Sequence, residues 1–316
     1  MPNLTIKDIA RISGCSVSTI SRVINDRPDV RPETKEHVLK VMREAGFVPN
    51  TNARQLKIQQ SRSLVFVVKG TRNLFFSDFL VQLQREIDAA EKILREIKPK
   101  GMIFLGGSVA NFKKGFANIT VPSVLTTLVS DELDFPNLSM VGVDDRAAAY
   151  TAVDYLIQQG HRKIAVLGGP VTSYPSVMRR EGAQQAMQDA GILFSDKLYG
   201  LSNYDFESAY HAVNSLLARR ADFTALFAMS DVIALGAIRA LASAGLRVPE
   251  DVSVIGFDGI TMSRYCVPVL TTVVQPSEQI SLQSIELLVR QIEHGAPAQT
   301  ITLQPELQQG ESVRAI

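Results

Sequence analysis

Apolar residues recur along the first fifty positions at intervals of three and four. Ile6, Ile9 and Ala10 form one set, Ile20, Val23 and Ile24 a second, and Val38, Val41, Met42 and Ala45 a third. Side chains at i, i+3 and i+4 share one face of a helix, so the pattern predicts three short amphipathic helices. Thr5 with Asp8 three residues on has the form of a capping box, and Ser16 opens the second helix after the turn Ser13-Gly14-Cys15. Pro32 suits the first turn of the third helix and Gly46 its end, whereas Arg31 falls at its N-cap position without an acceptor to offer.

From Ser63 onward the period changes. Short apolar runs, LVFVV, MIFLGG, SVLT, MVGVD, KIAVLGG, ALFAM and SVIGFD, alternate with helical patterns. Near-continuous Val, Ile and Leu runs indicate strands covered on both faces, hence parallel sheets built from βα units. The predicted fold class is therefore α/β, with a small helical head in front. At 316 residues the chain has room for two or three domains.

Composition narrows this picture. With 46% hydrophobic and 21% charged residues the chain sits in the globular range, and a disordered, collagen-like or coiled-coil chain is excluded. No apolar run approaches the ~18 residues of a membrane span. The N-terminus lacks the apolar core of a signal peptide, and there are only two cysteines, Cys15 and Cys266. A reducing cytoplasm with both thiols free is expected. Charge is uneven: residues 1–62 carry eleven Lys and Arg against six Asp and Glu, a net of +5, while the rest carries 22 against 26, a net of −4.

A basic head and two helices separated by a Gly-containing turn suggest a helix-turn-helix, whose second helix fits the major groove of B-DNA. Its exposed face would carry Val17, Ser18, Ser21 and Arg22. Hydroxyls reach phosphates or base edges, Val17 suits a thymine methyl, and Arg22 suits a guanine edge. A plain solvated helix face fits the same spacing.

The whole run TIKDIARISGCSVSTISRVINDRPDVRPETKEHVLKVMREAGFVPNTNARQL decides between them. It resembles the DNA-binding head and hinge of the LacI/GalR family of bacterial transcription regulators almost residue for residue, and the body resembles that family's sugar-binding core along most of its length. The resemblance implies that Ser16, Val17, Ser18 and Arg22 contact bases, and that Thr19, Ser21 and Asn25 contact the backbone. It also implies that residues 50–57, two turns too short to persist alone, become a hinge helix on operator DNA. There Ala53 would meet its dimer mate and Leu56 would wedge the minor groove, paying unstacking energy to gain a kink and more wrapped surface. A flexible linker containing a leucine is the plain alternative.

The implied organisation is a helix-turn-helix domain at 1–49, a hinge and linker at 50–62, a first lobe at 63–145 and 276–296, and a second lobe at 146–275 and 297–316. The two lobes follow the family's periplasmic-binding-protein-like fold. Ligands of open parallel sheets bind at the carboxyl ends of strands. Asp258 ends SVIGFD; Arg179, Tyr204 and Phe76 match pocket positions by resemblance, and Gln275 follows LTTVV. Ser230 and Asp231 stand where many relatives carry Asn-Asp, so one rotatable hydroxyl replaces an amide, and Asp231 has an N-cap as its ordinary role. Sugars need bidentate polar groups and flat rings together, and without tryptophan Phe or Tyr must supply the rings.

Relatives carry a second strand after LVFVV, but here REIDAA passes directly into EKILREIKPKGMIFLGG. Either about twenty residues, a strand with its loop, are genuinely missing, or the expressed protein contains residues there beyond those in the sequence. Asp88-Ala89-Ala90 offers no turn chemistry, which favours the second reading.

An enzyme reading finds no support. The glycine pairs at 106–107 and 168–169 lack the dinucleotide-loop spacing, no GxxxxGK[ST] occurs, and His37, His161, His211 and His294 are scattered without metal-ligand spacing. No cofactor and no metal are expected. The expected protein is a homodimeric repressor that holds a pseudo-palindromic operator and answers to a small effector, a sugar by resemblance. Alternatives are a solute-binding protein without regulatory role, which the head and missing signal peptide oppose, and a corepressor-type regulator answering to a nucleobase or a protein partner.

Overall fold

Thr5 starts the first helix by donating its backbone N–H and its hydroxyl to Asp8 Oδ2, at 2.9 and 2.7 Å. Helix α1 (Ile6–Ser13) then ends at Gly14, whose φ of +65° is open to glycine at little cost. Helices α2 (Val17–Ile24) and α3 (Pro32–Glu44) follow, with Pro32 in the first turn of α3 and Arg31 at its N-cap making no side-chain cap. Ile9, Ile20 and Val38 are fully buried between the three helices, joined by Ala10, Val23 and Met42. Each large aliphatic burial contributes roughly 1.5–3 kcal/mol, so a few side chains hold this head together. His37 Nε2, 3.1 Å from the Ser13 carbonyl oxygen, ties α3 to the end of α1.

The coordinates, a computed structural model, describe residues 5–24, 30–45, 47, 64–68, 74–77, 79–80, 101–106 and 109–316. The chain divides into two compact units, Met1–Ser61 and Arg62–Ile316. Gly46, the hinge at 50–62 and the junction at 88–91 lie outside the described residues.

The second unit contains two sheets. The first, in the order β1-β2-β3-β4-β10, is wholly parallel and comprises β1 (Leu64–Val68), β2 (Gly101–Leu105), β3 (Ser123–Thr126), β4 (Leu138–Val143) and β10 (Thr300–Leu303). The second runs β11-β9-β8-β7-β5-β6. It comprises β5 (Ile164–Gly168), β6 (Tyr199–Leu201), β7 (Ala225–Ala228), β8 (Ser253–Asp258), β9 (Thr271–Val274) and β11 (Glu306–Gln308), antiparallel only at β11. β4 and β8 are buried at every residue, as strands sandwiched between helices must be.

Alternation along β2 divides the first lobe's core. Ile103 and Leu105 join Ile280, Ile285, Leu287 and Leu288 of the helix Ser277–His294 on one face, while Phe104 joins Phe112 and Phe116 on the other. Val232 and Ile260, which belong to the second lobe by sequence, complete the first cluster beside Phe75 and Phe79. A single apolar cluster thus bridges the two lobes.

One boundary differs from the sequence reading. The sequence places the return to the second lobe at 297, but β10 pairs with β4 in register Thr300↔Met140 to Leu303↔Val143. The final crossing falls between Leu303 and Glu306. The reason is topological: the helix Ser277–His294 packs on the first sheet, and the strand it feeds finds the open edge of β4. With exposed Thr300 and Thr302, β10 has none of the continuous apolar character that marks the central strands.

Candidate DNA-binding face and effector site

Ser16, Val17, Ser18 and Arg22 are exposed on or just before α2, and Thr19 and Ser21 are half-buried. Ser16 Oγ accepts the Thr19 N–H at 3.1 Å, capping α2, and lies 2.7 Å from Ser18 Oγ and 2.8 Å from Thr19 Oγ1. Three hydroxyls are thereby held at the mouth of the second helix, where anions are favoured by the exposed N–H groups. Asn25, Ala53 and Leu56 lie outside the described residues.

In the second unit, polar groups from the carboxyl ends of several strands converge on Arg179. This residue sits in the helix Tyr174–Asp189 that follows β5. Its Nε donates to Asp145 Oδ1 at 2.7 Å, just beyond β4, and its Nη1 donates to the Met229 carbonyl beyond β7 at 2.5 Å. Nη1 also lies 3.5 Å from Oδ1 of Asp258, the last residue of β8. Gln275, just after β9, donates its Nε2 to the same Asp258 oxygen at 2.8 Å. The guanidinium carbon lies over the Phe257 ring, 3.6 Å from its centroid.

Three charged groups here are each 6% exposed or less. Burial pulls the Arg179 pKa down, but Asp145 and Asp258 together outweigh it and hold the guanidinium charged beyond its ordinary range. Burial raises the Asp145 carboxyl against the pull of Arg179. Asp258 takes φ +110°, a conformation that costs a non-glycine residue about 1–3 kcal/mol and persists only where the surroundings impose it. Gln275 Oε1 is buried without a hydrogen-bond partner among the described residues.

Tyr204 stands at the edge of this cluster with φ +58°, its hydroxyl 2.6 Å from Ser176 Oγ. Burial raises its pKa, so it is a neutral phenol. Its ring fills the space that a side chain at Gly169 would occupy: a Cβ there would lie 2.1 Å from Tyr204 Cε2. Gly168 makes the same room for Tyr199. The glycine pair after β5 thus seats two tyrosine rings.

Arg179, Asp258, Gln275 and Tyr204 are therefore brought together. Phe76 is half-buried against Phe75, ring centroids 5.6 Å apart, at the margin of the bridging apolar cluster. Ser230 and Asp231 are turned inward and fully buried. Ser230, rather than Asp231, caps the helix Asp231–Ser243 by accepting the Ile233 N–H at 3.2 Å. Asp231 instead reaches across to the β8–β9 connection, taking the Ile260 N–H at 2.8 Å and the Thr272 hydroxyl at 2.5 Å. Ser230 spends its hydroxyl on its own helix start and Asp231 its carboxylate on donors distant in sequence, and both are fully buried, which removes both from the ligand-facing set.

Asp145 is absent from the residues that sequence reasoning singles out. The rule that finds Asp258, an acid at the carboxyl end of an apolar run, signals it too, here as MVGVD followed by a second Asp. The two adjacent carboxylates divide the work: Asp144 caps the helix Asp145–Gln158 through the Arg146 and Ala147 N–H groups, leaving Asp145 for Arg179.

A helix-turn-helix head and a two-lobed core of parallel sheets, with a polar cluster at its strand ends, define a DNA-binding transcription regulator. Comparison with known proteins gives the family. Residues 5–50 match the bacterial regulatory proteins of the lacI family, and residues 153–313 match the periplasmic binding protein-like domain. The chain is 36% identical to the HTH-type transcriptional regulator MalR of Clostridium butyricum, covering 98% of this chain and 99% of that protein. It is 31% identical to the HTH-type transcriptional repressor PurR of Histophilus somni, covering 99% of each. Among solved structures, the transcriptional regulator CelR–cellobiose complex matches with a TM-score of 0.70 at 26% identity, covering 98% of this chain and 99% of that one. The chain belongs to the LacI family of transcription regulators.

The match to MalR extends over 331 residues, more than the 316 this chain contains. Since both proteins are covered almost end to end, the shortfall is internal.

Proposed function

We propose that this protein represses a carbohydrate-related operon as a homodimer on a pseudo-palindromic operator, and that a small effector bound between the lobes controls the DNA complex. Ser16, Val17, Ser18 and Arg22 read bases in this proposal, and Thr19 and Ser21 hold the backbone. Asn25, Ala53 and Leu56 take the backbone, dimer and minor-groove roles that their sequence positions imply. The effector would meet Arg179, Asp145, Asp258, Gln275 and Tyr204, with Phe76 approaching from the first lobe.

The observation that carries this reading is the converging cluster around Arg179 at the carboxyl ends of the strands, where open α/β sheets take ligands. Its chemistry favours a neutral, hydroxyl-rich molecule. Arg179 is already countered by Asp145 and Asp258, so a phosphate or carboxylate would add negative charge to a pair of buried acids. Gln275 Oε1, buried and unpaired among the described residues, calls for a donor, which a hydroxyl supplies and an ionised carboxylate or phosphate does not. A relative that is a ribose operon repressor and a structural neighbour holding cellobiose agree with this class. The second reading is a corepressor-type regulator that answers to a nucleobase, whose ring edges would also supply donors to Gln275 Oε1.

The test is thermal stabilisation of the full chain by maltose, cellobiose, ribose, glucuronate, glucose 6-phosphate, guanine and hypoxanthine, each hit being retested for its effect on operator binding. Stabilisation by a neutral sugar that releases DNA, lost in Gln275→Leu, supports the proposal. Stabilisation by the bases alone transfers the assignment to the corepressor reading, and by the anionic sugars alone overturns the charge argument.

A further inference from the structure

Asp231 is fully buried, has no cation beside it among the described residues, and spends its carboxylate on backbone far away in sequence. Oδ2 accepts the Ile260 N–H at 2.8 Å, the Gly259 N–H is a further donor to the same carboxylate, and Oδ1 lies 2.5 Å from Thr272 Oγ1 on β9. The protein keeps room for this reach: a side chain at Gly256 would put its Cβ 2.3 Å from Asp231 Oδ1. A glycine inside a buried central strand otherwise weakens it, so its presence fits a close approach of this kind.

The segment held in this way has two ends with different duties. On one side stands Asp258, forced to φ +110°, whose Oδ1 meets Gln275 Nε2 and Arg179 Nη1. On the other stands Ile260, 2% exposed, which lies in the apolar cluster with Phe75, Phe79 and Ile103 of the first lobe. Only Gly259 separates them. A turn with no tether would relax the strained φ of Asp258 and carry its carboxylate away from Arg179 and Gln275.

We infer that Asp231 is a positioning residue: it pins the Gly259–Ile260 turn, so that Asp258 is presented to the effector cluster on one side while Ile260 stays docked in the first lobe on the other. This rests on the proposed effector site, and it makes movement of Asp258 and movement of the lobe-bridging Ile260 one event. Burial raises the Asp231 carboxyl well above the usual range, and the neighbouring Asp258 adds to it. An asparagine here keeps the side-chain shape and an acceptor for the Ile260 N–H, and its amide nitrogen faces Thr272 Oγ1, a hydroxyl that accepts as well as donates.

The test needs no effector. In full-length protein labelled with 15N at glutamine and arginine side chains, the Gln275 Nε2 protons report the bond to Asp258, and the Arg179 Nε proton reports the separate bond to Asp145. Each resonance is identified by its loss in Gln275→Leu or Arg179→Lys. In Asp231→Ala the Gln275 signal should exchange with solvent about tenfold faster or more, as expected of a local opening, with the Arg179 Nε signal unchanged. Asp231→Asn should behave as wild type in both. Unchanged Gln275 exchange in Asp231→Ala would overturn the inference. So would loss of both signals together with a lowered Tm, which marks a general packing role, or an asparagine variant as defective as alanine. If the Gln275 signal responds as expected but no sugar or base binds, the effector reading fails and the positioning role stands.

Discussion

The guanidinium carbon of Arg179 lies over the ring of Phe257, 3.6 Å from its centroid, on the strand that ends in Asp258. The ring lies against the guanidinium, and Asp145, the Met229 carbonyl and Asp258 take its Nε and Nη1 groups. Planarity and a forked donor set are properties of arginine alone. Residues at or just beyond the ends of β4, β7 and β8 meet at this one side chain, so the cluster is part of the fold as well as a candidate binding site.

That double role changes what substitution should do. Removing one partner of a buried ion pair strands the others, at a cost of about 3–5 kcal/mol, whereas replacing the pair by apolar groups is often close to neutral. Arg179→Met should therefore lower unfolding stability by that order in denaturant titration, and Arg179→Met with Asp145→Leu should recover part of the loss. A single variant that unfolds at the wild-type midpoint would show that the cluster is not structural. A residue that only contacted effector would leave DNA binding untouched when replaced; the buried pairing predicts instead that DNA binding falls with stability.

Gly169 makes a second prediction. A methyl group there would overlap the Tyr204 ring at 2.1 Å and Ser176 Oγ at 2.6 Å. Overpacking of this kind costs about 1–3 kcal/mol. Gly169→Ala should destabilise by that order and displace Tyr204, while Gly169→Ala with Tyr204→Ala should cost less than the sum of the two single changes. Strict additivity in thermal unfolding would show that the ring does not rest on Gly169.

Much of this is legible in the sequence, and the omissions have physical causes. SVLT and SVIGFD correspond to strands β3 and β8 at every residue, because parallel strands covered on both faces are predominantly apolar through their middles. β6, β10 and β11 leave no such mark, being three or four residues long and partly exposed at or beside the sheet edges. Asp258 and Arg179 stand out, but Asp145 is hidden by its neighbour Asp144, and no spacing rule says which of two adjacent acids will cap the helix. Gly168 and Gly169, which look like a failed phosphate loop, are space for rings from β6 and the loop after it. Asp231 looks like an N-cap because residue type alone cannot reveal a partner 29 positions away, at Ile260.

His161 gives a pH dependence. It is 1% exposed, with Nδ1 2.9 Å from Thr224 Oγ1 and Nε2 3.1 Å from the Arg314 carbonyl oxygen, so it fastens the C-terminal segment to the second lobe. Burial pulls its pKa below the ordinary value of about 6.5, against the smaller opposing effect of the Arg314 carbonyl. The unfolded chain then binds the proton more readily than the folded one. Stability from this residue is complete above about pH 6.5 and falls as pH drops through that value toward the lower folded pKa. Thermal midpoints measured across this range should decline on acidification more steeply in the wild type than in His161→Gln. Parallel curves for the two proteins would exclude His161 as the titrating group.

Arg22 tests the reading of the DNA face. It stands exposed one turn beyond Ser18, on the helix whose N-terminus carries the Ser16–Ser18–Thr19 hydroxyl group. A bidentate arginine–guanine pairing discriminates by about 1–3 kcal/mol, and a two-fold symmetric dimer would make it once in each half-site. Arg22→Ala should therefore relax preference at one base pair per half-site in an operator selection, leaving preference elsewhere intact. An arginine that grips phosphate would behave differently: its removal would weaken binding on every sequence alike, and the dependence of log affinity on log salt would become shallower by about one unit for each phosphate that is no longer neutralised. Selection on the variant, combined with a salt titration on one fixed operator, separates the two. Unchanged base preference with a shallower salt slope would move Arg22 from reading sequence to gripping the backbone.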